Sequence, residues 1–188
     1  DASLWEFRGR ANVHTYSSAM CWAACDRLGN AAEKLGLTDK AAFWNARAGY
    51  LADYVDNAGQ HLEVRPNMLC ALLGDEMPVD AEVARKVLQV IDSELVTRRG
   101  IHTLSPRHAE YKGVYEGTQT ERDLAYHNGS TRPALVGPYC EVCFKMRGPA
   151  FLNKAQWLVN GFYEDLNKHG VGAFSELYDG DPPHEPHG

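Results

Sequence analysis

Between Asp80 and Val96, apolar side chains return every three or four residues. Val83, Val87, Leu88, Ile91 and Leu95 fall on one stripe, and Asp80 stands where a helix needs a cap. A strand repeats every second residue and cannot use such a pattern, so this stretch must be an amphipathic helix. The same period runs from Thr15 to Leu35 through Tyr16, Ala19, Met20, Ala23, Ala24, Leu28 and Ala31, with Thr15 as cap and Gly36 as stop. From Pro149 to His169 it runs through Phe151, Ala155, Leu158, Phe162 and Leu166; Pro149 suits the first turn, and Gly170 the stop. Ser130 to Met146 is apolar almost all round and predicts a helix buried on both sides. Shorter helices are expected at Thr38–Ala46 and Arg65–Leu73. The chain is therefore expected to be all-α, built of helical hairpins. No sheet larger than a short ribbon near Tyr50–Glu63 or Ile101–Pro106 is expected.

Long polar segments rich in Gly, Tyr and His, Gly100–Gly129 and Gly170–Gly188, join these helices. Loops of that length inside a folded domain usually carry function. The 188 residues, 44% hydrophobic and 23% charged, suit a single globular domain over residues 1–188. A net charge of −6 with scattered Lys and Arg argues against nucleic acid and anionic membranes as partners. No apolar stretch reaches the roughly 20 residues of a membrane span. The opening Asp1-Ala2-Ser3 shows neither an initiator Met nor a signal-peptide pattern, which reads as a segment of something longer.

Five cysteines, an odd number in a chain of this size, point to a reducing compartment and a cytoplasmic location. Cys140-Glu141-Val142-Cys143 has the spacing of a metal knuckle or a redox pair, but no second pair accompanies it. Both thiols fall in an apolar helical run, as do Cys21 and Cys25, so helix packing is the expected role. No metal and no organic cofactor is expected.

Two segments combine carboxylates with aromatic and glycine-rich surroundings: Leu4-Trp5-Glu6-Phe7-Arg8-Gly9-Arg10, and Phe174-Ser175-Glu176-Leu177-Tyr178-Asp179-Gly180-Asp181-Pro182-Pro183-His184. A protonated and an ionised carboxyl are the minimal apparatus for cleaving a glycosidic bond. Trp5 beside Glu6 would raise its pKa by desolvation and offer a sugar ring a stacking face. By composition alone, Glu6 and Glu176 are equally two of 25 acidic residues on a solvated surface.

Five motifs carry a resemblance. Val64-Arg65-Pro66-Asn67 followed by Leu69, Gly100-Ile101-His102-Thr103-Leu104-Ser105-Pro106, and Tyr111-Lys112-Gly113-Val114-Tyr115-Glu116-Gly117 come first. Ala125-Tyr126-His127-Asn128-Gly129-Ser130-Thr131-Arg132 and Glu176-Leu177-Tyr178-Asp179-Gly180-Asp181-Pro182-Pro183-His184 follow. In this order they resemble the C-terminal region of bacterial-type glycogen debranching enzymes (amylo-α-1,6-glucosidases) over about residues 42–188. Ser3–Gly9, Thr15–Trp22 and Asp26-Arg27-Leu28 are similar instead to bacterial glucoamylase-like proteins, over about residues 1–41. Both families share the six-hairpin (α/α) toroid. The chain thus reads as a possible chimera joined near residues 36–46.

The resemblance implies an inverting hydrolase of α-glucosidic (1,4 or 1,6) bonds in glycogen-like glucans. Glu6 would be the general acid and Glu176 the general base, with Trp5, Arg8, Arg65, Asn67, His127, Arg132 and Asp179 binding the sugar. The two carboxyl groups would stand about 6.5–9.5 Å apart, leaving room for a water. Plainer roles are open to each binding residue. Asn67 could satisfy backbone groups at a helix start, His127 could be a packed loop histidine, and Arg132 could pair with an acid such as Asp123. Asp179 and Asp181 also suit an ordinary turn, and Trp22, Trp44 and Trp157 suit a core. The chain departs from the debranching pattern at Thr118 (usually Asp), Asn128 (usually Gln) and Pro133-Ala134 (an aliphatic–aromatic pair). Closing a toroid takes about twelve helices, and about six are countable here, roughly half a toroid. A non-catalytic helical module, binding oligosaccharide or only assembling, is the alternative; uncovered helix faces would then favour a homo-oligomer.

Overall fold

The computed structural model describes residues 13–14, 20, 24, 27–28, 31–37, 54–56, 59–61, 63–74, 77, 79–166, 168 and 171–188. Residues 20, 24, 27–28 and 31–34 are helical, in line with the first amphipathic stretch; the expected helix at Thr38–Ala46 lies outside the described residues. Strands β1 (Val13–His14), β2 (Tyr54–Asp56) and β3 (Gly59–His61) form an antiparallel ribbon, with Val13 opposite Val55 and Tyr54 opposite His61.

A short helix α1 (Asn67–Cys70) follows Pro66, and α2 spans Ala81–Glu94. The Asp80 carboxylate caps α2 by accepting the backbone N–H groups of Glu82 and Val83, each at 2.9 Å. Its buried stripe is Ala84, Leu88, Ile91 and Leu95. Val83, one residue and therefore about 100° off that stripe, faces solvent.

Strands β4 (Val96–Thr97) and β5 (Gly100–His102) then make a tight hairpin around Arg98 and Arg99. Helix α3 (Gln119–Asn128) leads to β6 (Thr131–Arg132), a 3-10 turn at Pro133–Leu135 and α4 (Val136–Arg147). A second 3-10 turn, Gly148–Phe151, enters α5 (Leu152–Tyr163), and β7 (Leu177–Tyr178) and β8 (Pro186–His187) close the order.

Strands β4 to β8 form one five-stranded antiparallel sheet in sequence order. This corrects the all-α expectation. Each strand has only two or three residues, too few to display an alternating pattern. Two of its four ladders join distant residues, Ile101 with Arg132 and Thr131 with Tyr178. The helix expected over Ser130–Met146 also starts later. Pro133 disfavours helical geometry at the residue before it, so Arg132 is extended (φ −111°, ψ 113°) and joins the sheet. The helix expected to reach His169 ends at Tyr163. Just beyond it, buried Asp165 accepts the Tyr178 hydroxyl, and Arg99 donates to the Gly161 carbonyl, so β7 and the β4–β5 hairpin both grip the end of α5. Arg98 passes so near α5 that a Cβ on Gly161 would lie 2.0 Å from its carbonyl oxygen.

The core lies between α1, α2, α4 and α5, with Ile101 of β5 reaching into it. Leu69, Leu72, Leu88, Ile91, Tyr139, Val142 and Leu158 are sealed from water there. Full burial of such a side chain is worth about 1.5–3 kcal/mol. Asp92 braces α2 to α4 by accepting the Tyr139 hydroxyl and, at 2.6 Å, the Arg147 guanidinium. Cys70, Cys140 and Cys143 are free thiols; burial pushes Cys70 and Cys143 up to about 11, and Cys140 is raised too. They therefore pack as thiols, as the helix reading expects. Trp157 does not join the core: it is partly exposed on α5, beneath the Lys154 ammonium. Leu152, Val159 and Tyr163, spaced along one side of α5, are also exposed. No helix among the described residues is long and apolar enough to cross a membrane.

Candidate active site

The polar residues of the motifs meet around β6, the middle strand of the five-stranded sheet, and Arg65 organises one side of that meeting. It is 8% exposed. Its Nη1 donates to the carbonyls of Thr103 (3.1 Å) and His127 (2.7 Å), and its Nη2 donates to Asn128 Oδ1 (2.8 Å). Two of these acceptors lie in the last turn of α3, where free carbonyls and the negative helix end attract a cation. Asn128, which departs from the family pattern, therefore acts here as an anchor for Arg65, and its own carbonyl accepts the Lys112 N–H at 2.8 Å. Asn67 is buried at the start of α1.

Helix α3 begins with a capping box that the sequence reading passed over. The Thr118 hydroxyl accepts from the Glu121 N–H, and the Glu121 carboxylate returns to the Thr118 N–H at 2.7 Å. The Thr-x-x-Glu spacing is its signature. At the other end, Gly129 turns the chain into β6. A Cβ there would stand 2.1 Å from the Lys112 carbonyl oxygen, so only glycine permits this approach. Ser130 reinforces the turn, its N–H and hydroxyl both reaching the Ala125 carbonyl at 3.0 Å.

That turn aims Tyr126 and Arg132 at Glu176. The Tyr126 hydroxyl donates to Glu176 Oε1 at 2.9 Å, and Arg132 Nη1 donates to the same oxygen at 2.9 Å. Arg132 is buried while the Glu176 side chain is 60% exposed, so one partner is fixed and the other faces solvent. The Arg132 guanidinium also lies over the Tyr126 ring, 3.5 Å from its centroid. These donors, Tyr126 foremost and then Arg132, hold the Glu176 carboxyl below its ordinary value. Arg132 thus pairs with Glu176 rather than with Asp123.

Asp179 closes the far side. It is buried, and its Oδ1 accepts the Tyr115 N–H at 2.7 Å and lies 2.9 Å from His187 Nε2. Its carbonyl lies 2.9 Å from His184 Nδ1. Next to it the Tyr111 hydroxyl donates to Asp181 Oδ1 at 3.0 Å. Gly113 and Gly180 let these loops touch: a Cβ on Gly180 would meet the Gly129 carbonyl oxygen at 2.3 Å. Asp179 and Asp181 thus stitch loops together in this structure, as the turn reading allowed.

Burial and the Arg132 and Arg65 cations push the His127 imidazole down to about 4, so the ring is neutral at physiological pH. His102, whose Nδ1 donates to the Gly129 carbonyl at 2.9 Å, is also lowered by burial. Among the described residues no group of three or more His, Cys, Asp or Glu is placed to hold a metal ion.

Of the residues singled out from sequence, Arg65, His127, Arg132, Glu176 and Asp179 take part in this cluster and Asn67 is buried two positions from Arg65, whereas Trp5, Glu6 and Arg8 lie outside the described residues. Sequence reasoning missed Tyr126 as a partner of Glu176 and Thr103 and Asn128 as partners of Arg65. Tyr126 stands inside a quoted motif, one residue before His127, and that adjacency was its only signal.

Two proteins named trehalase are similar to part of this chain. One, from Mycolicibacterium smegmatis, is 32% identical over 106 residues, covering 50% of this chain and 16% of its own length. The other, from Mycobacterium tuberculosis, is 30% identical over 106 residues with the same coverage. The chain therefore spans about one sixth of the length of these relatives. The model of the family described as amylo-alpha-1,6-glucosidase matches residues 18–188, running through the segment 18–41 as well as the five motifs. Since that match takes in nearly the whole sequence, the chain belongs to the amylo-alpha-1,6-glucosidase family.

Proposed function

We propose that this chain contributes to the hydrolysis of α-glucosidic (1,4 or 1,6) bonds in glycogen-like glucans by an inverting, two-carboxylate mechanism. Glu176 is the general base and Glu6 the general acid. The observation that carries the reading is the state of Glu176: an exposed carboxylate, kept ionised by two donors that both occupy Oε1. Oε2 accepts no hydrogen bond among the described residues, which leaves it to orient a water. A base must be ionised, and Tyr126 and Arg132 favour that form. The role of Glu6 comes from resemblance. Family membership and the trehalase relatives support a glycosidase.

In this mechanism Glu6 protonates the departing oxygen while Glu176 takes a proton from water on the opposite face of the sugar. Arg65 and His127 would shape the wall, with Trp5, Arg8, Asn67, Arg132 and Asp179 as further sugar contacts. The neutral His127 ring can both donate and accept hydrogen bonds to hydroxyls.

Glucose release from maltooligosaccharides and from branched α-1,6 glucans tests this. Glu6→Gln and Glu176→Gln should each reduce release by about a thousandfold or more while leaving oligosaccharide binding largely intact, because an amide neither donates the proton nor activates water. Freshly released sugar should be the β-anomer. Wild-type turnover in Glu176→Gln, or an α-anomeric product, rejects the mechanism.

A second reading, a non-catalytic module that assembles through a helix face, draws on the exposed Leu152, Val159 and Tyr163 of α5. Sugar binding without turnover, together with self-association, would favour it.

A further inference from the structure

We infer that Tyr126 is a positioning residue for Glu176: with Arg132 it forms a stacked clamp on one carboxylate oxygen that fixes which oxygen faces the reaction. The inference rests on Glu176 being the base, and it assigns a task to a residue that the family motifs alone do not single out.

Tyr126 sits in the last turn of α3, where Arg65 holds the His127 carbonyl and the Asn128 side chain, and Arg132 follows on β6 after the Gly129 turn. Both donors reach Glu176 Oε1 at 2.9 Å, so the carboxylate is held at one oxygen from two directions. A carboxylate held by one donor can rotate about that bond, whereas two converging donors fix its plane.

The ring stacking couples the two donors. A guanidinium 3.5 Å from the Tyr126 centroid draws electron density from the ring and strengthens the phenolic O–H as a donor. Arg132 therefore acts on Glu176 twice, directly and through the tyrosine. His127 is a further titratable group beside the clamp, its ring centroid 5.1 Å from that of Tyr126, and Gly188 brings its backbone against Glu176 from the β8 side.

The test is Tyr126→Phe in the whole chain, which keeps the ring beneath Arg132 and removes only the hydroxyl. The side-chain carboxyl carbon of Glu176, assigned by its disappearance in Glu176→Gln, is titrated by NMR. In Tyr126→Phe the Glu176 pKa should move up, while Tyr111→Phe, which removes the hydroxyl bonded to Asp181, should leave it in place. In glucose release at neutral pH, kcat should fall about tenfold with KM little changed, the loss expected for a hydrogen bond to a charged group. The acid limb of the pH profile should move to higher pH. An unmoved Glu176 titration in Tyr126→Phe overturns the inference even if Glu176→Gln is inactive. A moved titration in a chain that never releases glucose upholds the clamp and rejects Glu176 as base. Should Tyr126→Phe lose its native circular dichroism, Arg132→Lys provides the same titration readout through the other donor, and an unmoved Glu176 there overturns the clamp.

Discussion

His187 Nε2 lies 2.9 Å from Asp179 Oδ1, and its ring tilts against Tyr115 with centroids 5.2 Å apart, so one side chain of β8 joins two loops of the candidate site. Asp179 is buried and would otherwise depend on the Tyr115 N–H. His187→Ala should destabilise the fold by about 1 kcal/mol. It should also raise amide exchange at Asp179, whose N–H donates to the Glu185 carbonyl just before β8 at 2.8 Å. Unchanged exchange there would show that β8 does not depend on this contact.

The capping box at Thr118 gives a contrast between two substitutions. Thr118→Ala removes the acceptor for the Glu121 N–H and should cost about 1 kcal/mol in urea unfolding. Thr118→Ser keeps both the acceptor and the hydroxyl that donates to Glu121 Oε2 at 2.8 Å, and should be neutral within a few tenths of a kcal/mol. A loss in both would mean that Thr118 serves through its methyl group rather than through the cap.

His127 should make stability depend on pH. Its folded pKa, about 4, lies below the roughly 6.5 of an unfolded histidine, so the unfolded chain binds the extra proton first. Its contribution is complete above about pH 6.5 and is lost as pH falls toward 4. The loss should be of order 1 kcal/mol, given that solvent screens a partly exposed ring. His127→Asn, which retains the backbone carbonyl used by Arg65, should flatten urea midpoints between pH 7 and 4. Glu176 adds a second slope of the same sign at lower pH, since its depressed pKa gives stability that is lost as pH falls through that value.

Gly129→Ala should damage the site more than an exposed glycine change would. The new methyl meets the Lys112 carbonyl at 2.1 Å, and the turn that aims Tyr126 and Arg132 must open. A destabilisation of about 2 kcal/mol or more is expected, together with an upward move of the Glu176 pKa. Gly74→Ala provides the comparison: its Cβ would have nothing within 4 Å, though φ of +88° adds backbone strain of about 1 kcal/mol.

In the core, Leu88→Ala should cost about 2–5 kcal/mol, whereas Val83→Ala should cost little. Both residues belong to the same apolar pattern, but only Leu88 lies on the face that α1 and α4 cover.

These pairs show what the sequence conveyed. Period and capping located α2 almost to the residue, because Asp80 and a four-turn stripe are local signals. Arg65, Arg132 and Glu176 were found through motifs, and the structure brings them into one cluster. The sheet was hidden because a two-residue strand carries no period and its partners lie far along the chain. Helix α3 was hidden by its weak apolar face: Ala125 is its one buried hydrophobic residue. Tyr126 was hidden because the use of a tyrosine hydroxyl depends on what arrives from β7, fifty positions later.

The order of the sheet also bears on how activity would fail on warming. Glu176 stands at the entrance to β7, which is held by a one-residue ladder to β6, a two-residue ladder to β8 and the Tyr178–Asp165 contact beyond α5. The core cluster of α1, α2, α4 and α5 does not include β7 or β8. Ladders this short can open at a lower free-energy cost than that of melting the helices. Heat inactivation should therefore precede loss of helical circular dichroism, and a ligand gripping Glu176 should close the gap between the two temperatures.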